Sequence, residues 1–450
     1  MAGMKCYGYF DRDTIARMKN RRATLTSLII FICIIGVGVI GHLPVSAQIW
    51  PEPYEGYYLM RGNYPDDDES HWSDEVQGLT HDENNWYITT RYEVWKVPLH
   101  YNLETFENGD PGVIHRPPIP SEDNLFNRGY NHIGSPAYYQ YQENGYLLLP
   151  MEGAGHCGLI LLNTRDLSFA GEAIFPAYQS DAPWFAVDKY GNIFTANNWH
   201  DGSQNSDVDH YYNYTFNWPL FVETGTIELG EGIPHTIPFL DEYGIPIPIP
   251  YTQGGVFSES GDLLYVSAGM YDGHSTNDGI SVFDTRTGRL VEHSTNGYGY
   301  FNYEFHPGWS KYEEPEGLTI WDLDQKSTDE TGGAYGQLHV VLLDVDPALH
   351  DDIYVSHYSN TIYIDASYNG ENKDGTPEHP LNNISEAFSL AWNGSRIELK
   401  TGTYPKPYRG SFNRHTQILA SEGDVNMGNY IFLSSTGMLN IGKNGGLSLF

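Results

Sequence analysis

The chain has 450 residues with 24 basic and 58 acidic side chains, a formal net charge of −34. A field of that sign repels nucleic acid and anionic membranes, so neither is an expected partner of the folded protein. The 35 Tyr, 10 Trp and 48 Gly point to an all-β protein. The 3 Cys are too few for a disulfide framework, so its core must hold it together.

Residues 1–47 read as a secretory signal peptide. A basic segment (Arg17, Lys19, Arg21, Arg22) precedes an uncharged apolar run from Ala23 to Gly41, and Val45-Ser46-Ala47 is a small-x-small cleavage site before Gln48. An uncleaved anchor is the rival reading, because the apolar run is almost long enough to span a bilayer. Cleavage predicts an extracellular or cell-surface product with no remaining membrane segment. Cys157 is then the last cysteine left, and no internal disulfide can form. Residues 48–70, ending in Asp66-Asp67-Asp68-Glu69, read as an acidic linker.

Residues 71–360 contain a repeat. Five segments pair a short apolar strand with a polar turn and a second strand; they begin near Gln77, His132, Pro183, Gln253 and Glu316. Third strands are legible at 158–163 and 280–284, and a fourth at 289–292. Four strands per repeat in radial array is a β-propeller. The repeats lie about 60 residues apart, longer than a compact blade of roughly 40–45. Much of the surplus falls between His200 and Pro250, where alternating prolines from Ile245 to Pro250 rule out a central strand. Five blades are expected, or six if that insertion supplies one.

Inner strands of a propeller line its channel. The alignment places Gln77, His132, Asp181, Gln253 and Glu316 at corresponding positions near the channel mouth. Such a ring suits a polar ligand or a divalent cation such as Ca²⁺, against the plainer reading of polar side chains wetted by channel water. His132 and Glu316 are the acid–base pair to test first. Cys157 abuts the apolar run Gly158 to Leu162 and reads as a buried structural thiol.

Residues 361–450 change pattern. A strand at 362–365, a turn-rich loop at 369–377 and an amphipathic helix from Ile384 to Trp392 are followed by short strands near 396–399, 417–420, 430–433, 438–441 and 447–449. This spacing fits stacked coils. The run Ile362 to Ser367, then Asp374 to Pro380, the helix, and Ile397 to Tyr404 resembles the amino-terminal cap of pectate-lyase-like right-handed β-helices. The resemblance implies a short right-handed parallel β-helix segment after the propeller. With the chain ending at Phe450 after a few coils, a cap and spacer are expected in place of a full lyase groove.

The propeller segment resembles secreted propellers of the broad gluconolactonase-like and NHL-type superfamily, with Glu314 to Asp322 as the matching run. In gluconolactonase-like enzymes an acidic residue at the start of an inner strand binds a divalent cation, which makes Glu316 the candidate metal ligand. The expected function is an extracellular binding or scaffold protein with a polysaccharide or surface partner. A metal-dependent hydrolase or lactonase at the propeller mouth is the alternative, and a polysaccharide lyase in the β-helix comes third.

Overall fold

The computed structural model describes residues 59–66, 72–116, 130–197, 208–269, 279–294, 313–346, 350–404, 415–427, 438–443 and 447–449, short internal breaks aside. The expected signal peptide and the strand expected at 430–433 lie outside the described residues.

The first element, β1 (Leu59–Asp66), precedes five antiparallel sheets. Blade one is β2 (Val76–His81), β3 (Asn85–Thr90), β4 (Val94–Pro98) and β5 (Ile114–Arg116). Blade two has an interrupted inner strand, β6 (His132–Ile133) and β7 (Ala137–Tyr141), then β8 (Asn144–Gly153), β9 (His156–Asn163) and β10 (Phe169–Ile174). Blade three comprises β11 (Ala186–Val187), β12 (Ile193–Ala196), β13 (His210–Phe216), the short helix α1 (Trp218–Thr224) and β14 (Leu229–Pro238). Blade four is β15 (Thr252–Phe257), β16 (Leu263–Ala268), β17 (Gly279–Asp284) and β18 (Leu290–Ser294). Blade five is β19 (Glu313–Ile320), β20 (Leu338–Asp346) and β21 (His350–Ser359), with β1 as its outermost strand.

The fold is thus a five-bladed β-propeller. Its inner strands touch in the order β2, β7, β11, β15, β19 and back to β2, which closes the ring. A strand that precedes the first blade locks that ring. Residues 59–66 fall in the stretch expected as an acidic linker, yet they pair antiparallel with β21 from Leu59↔Ser359 to Asp66↔Ile353. The blade that ends the propeller is therefore completed by the strand that begins it. The long stretch before Pro250 adds no sixth blade. It supplies β13, α1 and β14, the outer half of blade three. Among the described residues its proline run forms no strand; it contributes an isolated bridge between Leu240 and Pro246 and backbone hydrogen bonds from Ile247 to Phe239 and from Ile249 to Val208.

Local chemistry sets the hairpins. Asp82 Oδ1 accepts from the backbone N–H of Asn84 and Asn85, at 2.7 and 2.8 Å. Asp188 Oδ1 does the same for Tyr190 and Asn192, both at 2.9 Å. A carboxylate that mimics a backbone turn fixes the strand reversal and hence the register. Between blades the inner strands approach backbone to backbone, which is why glycine recurs there. A Cβ on Gly134 would lie 2.0 Å from the Pro183 carbonyl oxygen, and one on Gly317 would lie 2.4 Å from Gly78 Cα. Large apolar side chains, among them Trp86, Trp184, Tyr211 and Tyr265, fill the space between sheets and are fully buried.

After Asn360 the pairing changes from antiparallel to parallel. The elements are β22 (Thr361–Ile364), α2 (Ile384–Leu390), β23 (Ser395–Leu399), β24 (Gly402–Tyr404), β25 (His415–Ala420), β26 (Val425–Met427), β27 (Met438–Lys443) and β28 (Leu447–Leu449). One parallel ladder runs β22-β23-β25-β27 and a second runs β24-β26-β28. Parallel neighbours need long crossovers. Here the first crossover contains α2, whose Ile384, Ala387 and Phe388 pack on Ile362, Ile364, Ile397 and Leu399. The helix lies where its apolar spacing places it, two residues shorter than expected; β24 and β26 were not foreseen.

A buried polar cluster joins the propeller to these ladders. Asp324 Oδ2 accepts from Ser359 Oγ at 2.5 Å and Gln337 Nε2 at 2.9 Å. Gln337 Nε2 also donates to Thr361 Oγ1 at 2.9 Å, and Asn360 Oδ1 accepts from Ser395 Oγ at 2.6 Å. Burial, and then the charge of Asp324, push Asp322 up to about 6.

Candidate functional site

Three of the five residues expected at the channel mouth occupy the same irregularity of the inner strand. Pairing with the second strand slips between Val76 and Gly78, between Thr252 and Gly254, and between Pro315 and Leu318. Gln77, Gln253 and Glu316 are the residues at those slips. A β-bulge frees its extra residue from the ladder and re-aims the side chain, so a repeated bulge places a polar group at the same end of each of these three blades. His132 lies on β6, paired with Glu152 near the end of β8. Asp181 precedes β11 in a loop.

One of these residues, His132, contacts a residue that sequence reasoning missed, Glu152, and Gln77 contacts His132 in turn. His132 Nδ1 is 3.0 Å from Glu152 Oε2, and His132 Nε2 is 2.5 Å from Gln77 Oε1. The Gln77 amide is oriented by donating from Nε2 to the carbonyls of Glu75 and Val76, both at 3.2 Å. Glu152 Oε1 accepts from the backbone N–H of Ala182, adjacent to Asp181, at 2.8 Å. Glu316 lies within electrostatic reach of Glu152. Gln253 shares the bulge position but has no hydrogen bond to the other four among the described residues.

The loop that carries Asp181 is held from behind. Asn197 Oδ1 accepts from Ser180 N and from Gln179 Nε2, both at 3.1 Å. Tyr214 donates to Gln179 Oε1 at 3.0 Å, and Ser180 Oγ donates to Asp181 Oδ2 at 2.8 Å. Gln179 and Asn197 are both almost fully buried. They act as props, since satisfied buried amides fix a loop in one arrangement.

Electrostatically the site is divided. Glu316 is 2 % exposed. Burial first, then the negative charges of Glu314 and Glu152, push its carboxyl well above the usual range. Glu152 Oε1 instead accepts from the Ala182 N–H, and its Oε2 lies 3.0 Å from His132 Nδ1. One site thus holds an acid that favours its protonated form and a carboxylate that is already hydrogen-bonded. This division lets a site donate and accept at once.

The cation expected at Glu316 would need further ligands beside that carboxyl. Among the described residues no group of three or more His, Cys, Asp or Glu side chains comes together around a common point. Both Glu152 oxygens are engaged as well. The thiol of Cys157 is fully buried and donates to the Gln179 carbonyl at 3.4 Å, and burial pushes its pKa up. It is a packing residue. Among the described residues no helix is long and apolar enough to cross a membrane.

Neither family models nor curated proteins match the sequence. Solved structures do match in fold. A family-43 glycoside hydrolase from Xanthomonas citri, solved with xylotriose, is 14 % identical over 67 % of this chain and 89 % of its own, with a TM-score of 0.35. A thermostable family-43 glycoside hydrolase is 14 % identical over 67 % and 90 %, with a TM-score of 0.37. A protein assigned as a gluconolactonase is 12 % identical over 65 % and 77 %, with a TM-score of 0.33. At such identities the likeness concerns the propeller fold alone.

Proposed function

We propose that the protein is an exported binding protein that takes a neutral saccharide unit at the channel mouth. The observation that carries this reading is the buried acid Glu316 set beside the Gln77–His132–Glu152 chain. A sugar hydroxyl both donates and accepts. The Glu316 carboxyl, whose protonated form burial favours, can donate, and the Glu152 oxygens can accept, while the acidic chain as a whole disfavours anionic ligands. In this reading residues 1–47 direct export to the medium or cell surface. The parallel ladders form the opening coils of a right-handed β-helix that serves as a spacer or a second polysaccharide-facing surface.

A hydrolase is the second reading, favoured by the same division of the carboxyls. Glu316 would protonate a leaving oxygen while Glu152 acted on the opposite side as base or nucleophile. A calcium-dependent version would need ligands beyond Glu316.

Calorimetry tests the proposal with xylotriose, cellotriose and maltotriose as probes. Wild-type protein should bind at least one of them. Glu152→Gln and His132→Ala should weaken that binding tenfold or more, about 1.4 kcal/mol, with unchanged melting. Failure of all three sugars to bind would overturn the binding reading. Release of reducing ends by wild type but not by Glu316→Gln would decide for the hydrolase. A titration with Ca²⁺ that gives no heat would remove the cation.

A further inference from the structure

A cavity opens at the end of the propeller opposite the bulges. Inner strands of blades two and three run parallel, as the bridge between Ser135 and Trp184 shows. Each inner strand turns back through a hairpin on the face opposite the bulges. From Gln253 at its bulge to Phe257 at the hairpin, β15 advances four residues, roughly 13 Å. The hairpins of blades two, three and four border an open cleft of about 590 Å³. That volume lies within the range of about 300–1,000 Å³ typical of small-ligand sites.

The lining is aromatic, with both signs of charge. Tyr138 comes from blade two, Lys189 and Tyr190 from blade three, and Phe257, Asp262 and Arg286 from blade four. Tyr190 is 72 % exposed. Its backbone is held in place, because Asp188 accepts from the N–H groups of Tyr190 and Asn192 in the turn. Phe257 is anchored edge-on against Phe194, with ring centroids 4.8 Å apart. Arg286 is paired with Asp284 at 3.0 Å. By contrast, neither the Lys189 ammonium nor the Asp262 carboxylate makes a hydrogen bond among the described residues. Tyrosines present an apolar face with a polar edge. The Lys189 ammonium lies 5.4 Å from the Tyr190 ring centroid, over one face of the ring, so it and the Asp262 carboxylate can meet hydroxyl groups of either polarity beside the other face.

We propose that this cavity is a second saccharide site, taking a neutral oligosaccharide that stacks on Tyr190 and Tyr138 and hydrogen-bonds to Lys189 and Asp262. A neutral ligand is argued by the balance of charge in the lining and by the acidic surface around it, which disfavours polyanions. The proposal is independent of the channel-mouth reading, because the two sites share no residue.

The test uses the full protein and the same three trisaccharides. Tyr190→Ala and, separately, Lys189→Ala each remove an exposed side chain, so both variants should fold with an unchanged melting temperature. Glu152→Gln weakens binding at the channel mouth tenfold or more. The expected result is that Glu152→Gln protein still binds at least one sugar, and that adding Tyr190→Ala or Lys189→Ala weakens this remaining binding at least tenfold. Two results would overturn the proposal: no sugar bound by Glu152→Gln protein, or remaining binding that both cavity variants leave intact.

Discussion

Replacing Gly134 with alanine places a methyl group 2.0 Å from the Pro183 carbonyl oxygen, at the seam between blades two and three. Neither side can yield locally. The Pro183 oxygen accepts from Ser135 N at 2.8 Å, the Ser135 oxygen accepts from Phe185 N at 3.0 Å, and Gly134 N is bonded to the Pro150 oxygen at 3.0 Å. Relief requires the two inner strands to part by about 1 Å or more, which breaks the two inter-blade hydrogen bonds. Those are worth about 0.5–1.5 kcal/mol each, and overpacking adds about 1–3 kcal/mol, for a loss of about 2–6 kcal/mol. Gly261→Ala is the control. A Cβ there meets nothing within 4 Å, but φ is +79°, so only a backbone cost of about 1–2 kcal/mol is expected. Urea unfolding followed by tryptophan fluorescence measures both, with Trp184 buried beside the seam. If Gly134→Ala loses no more stability than Gly261→Ala, the closed ring of inner strands is not what holds the propeller together.

Glu316→Gln should stabilise the protein increasingly as pH rises. The folded-state pKa of Glu316 is raised, so its favourable contribution is complete below the unfolded value of about 4.3 and is lost at higher pH. Melting temperatures at pH 4 and pH 8 check this, and a variant that is less stable than wild type at pH 8 would contradict it. His339 behaves oppositely. Burial lowers it to about 3, while its Nδ1 lies 2.5 Å from His357 Nδ1 and its Nε2 lies 2.9 Å from the Trp321 oxygen. Its stabilising neutral form is intact above about pH 6.5 and costs up to about 1.4 kcal/mol per pH unit below that. His339→Gln should therefore flatten the fall in melting temperature between pH 7 and pH 5; an unchanged slope would refute the assignment. Asp324→Ala strands donors from Ser359, Gln337 and Gly336. At about 1–3 kcal/mol for each buried orphan, urea unfolding should show a loss of about 3 kcal/mol or more, and a loss below about 1 kcal/mol would mean that water replaces the carboxylate.

The propeller was legible because its punctuation is local. Gln253-Gly254-Gly255 joins a bulge to a close backbone approach, and the Asp82, Asp188 and Asp284 turns each fall within a few residues. What escaped is long-range. β1 is a polar outer strand whose partner lies about 300 residues later, and nothing within Leu59 to Asp66 announces that pairing. The outer half of blade three was hidden because Gly230, Gly232 and Pro234 break the alternation of β14, a strand with one mostly exposed edge. Glu152 reads in isolation as a charge closing an apolar strand. Its role depends on His132, 20 residues earlier, and Ala182, 30 residues later. The available signal was a lone acid after the run Leu147 to Met151, at the end of a second strand, where Asn197 stands in the next blade.

A crystal structure of the protein with the trisaccharide that binds best would test the central claim most directly. The account predicts sugar hydroxyls within about 2.6–3.2 Å of the Glu316 and Glu152 carboxyl oxygens, with His132 and Gln77 keeping their present contacts. A channel mouth that holds only water, in a crystal where the sugar is bound elsewhere, would contradict it.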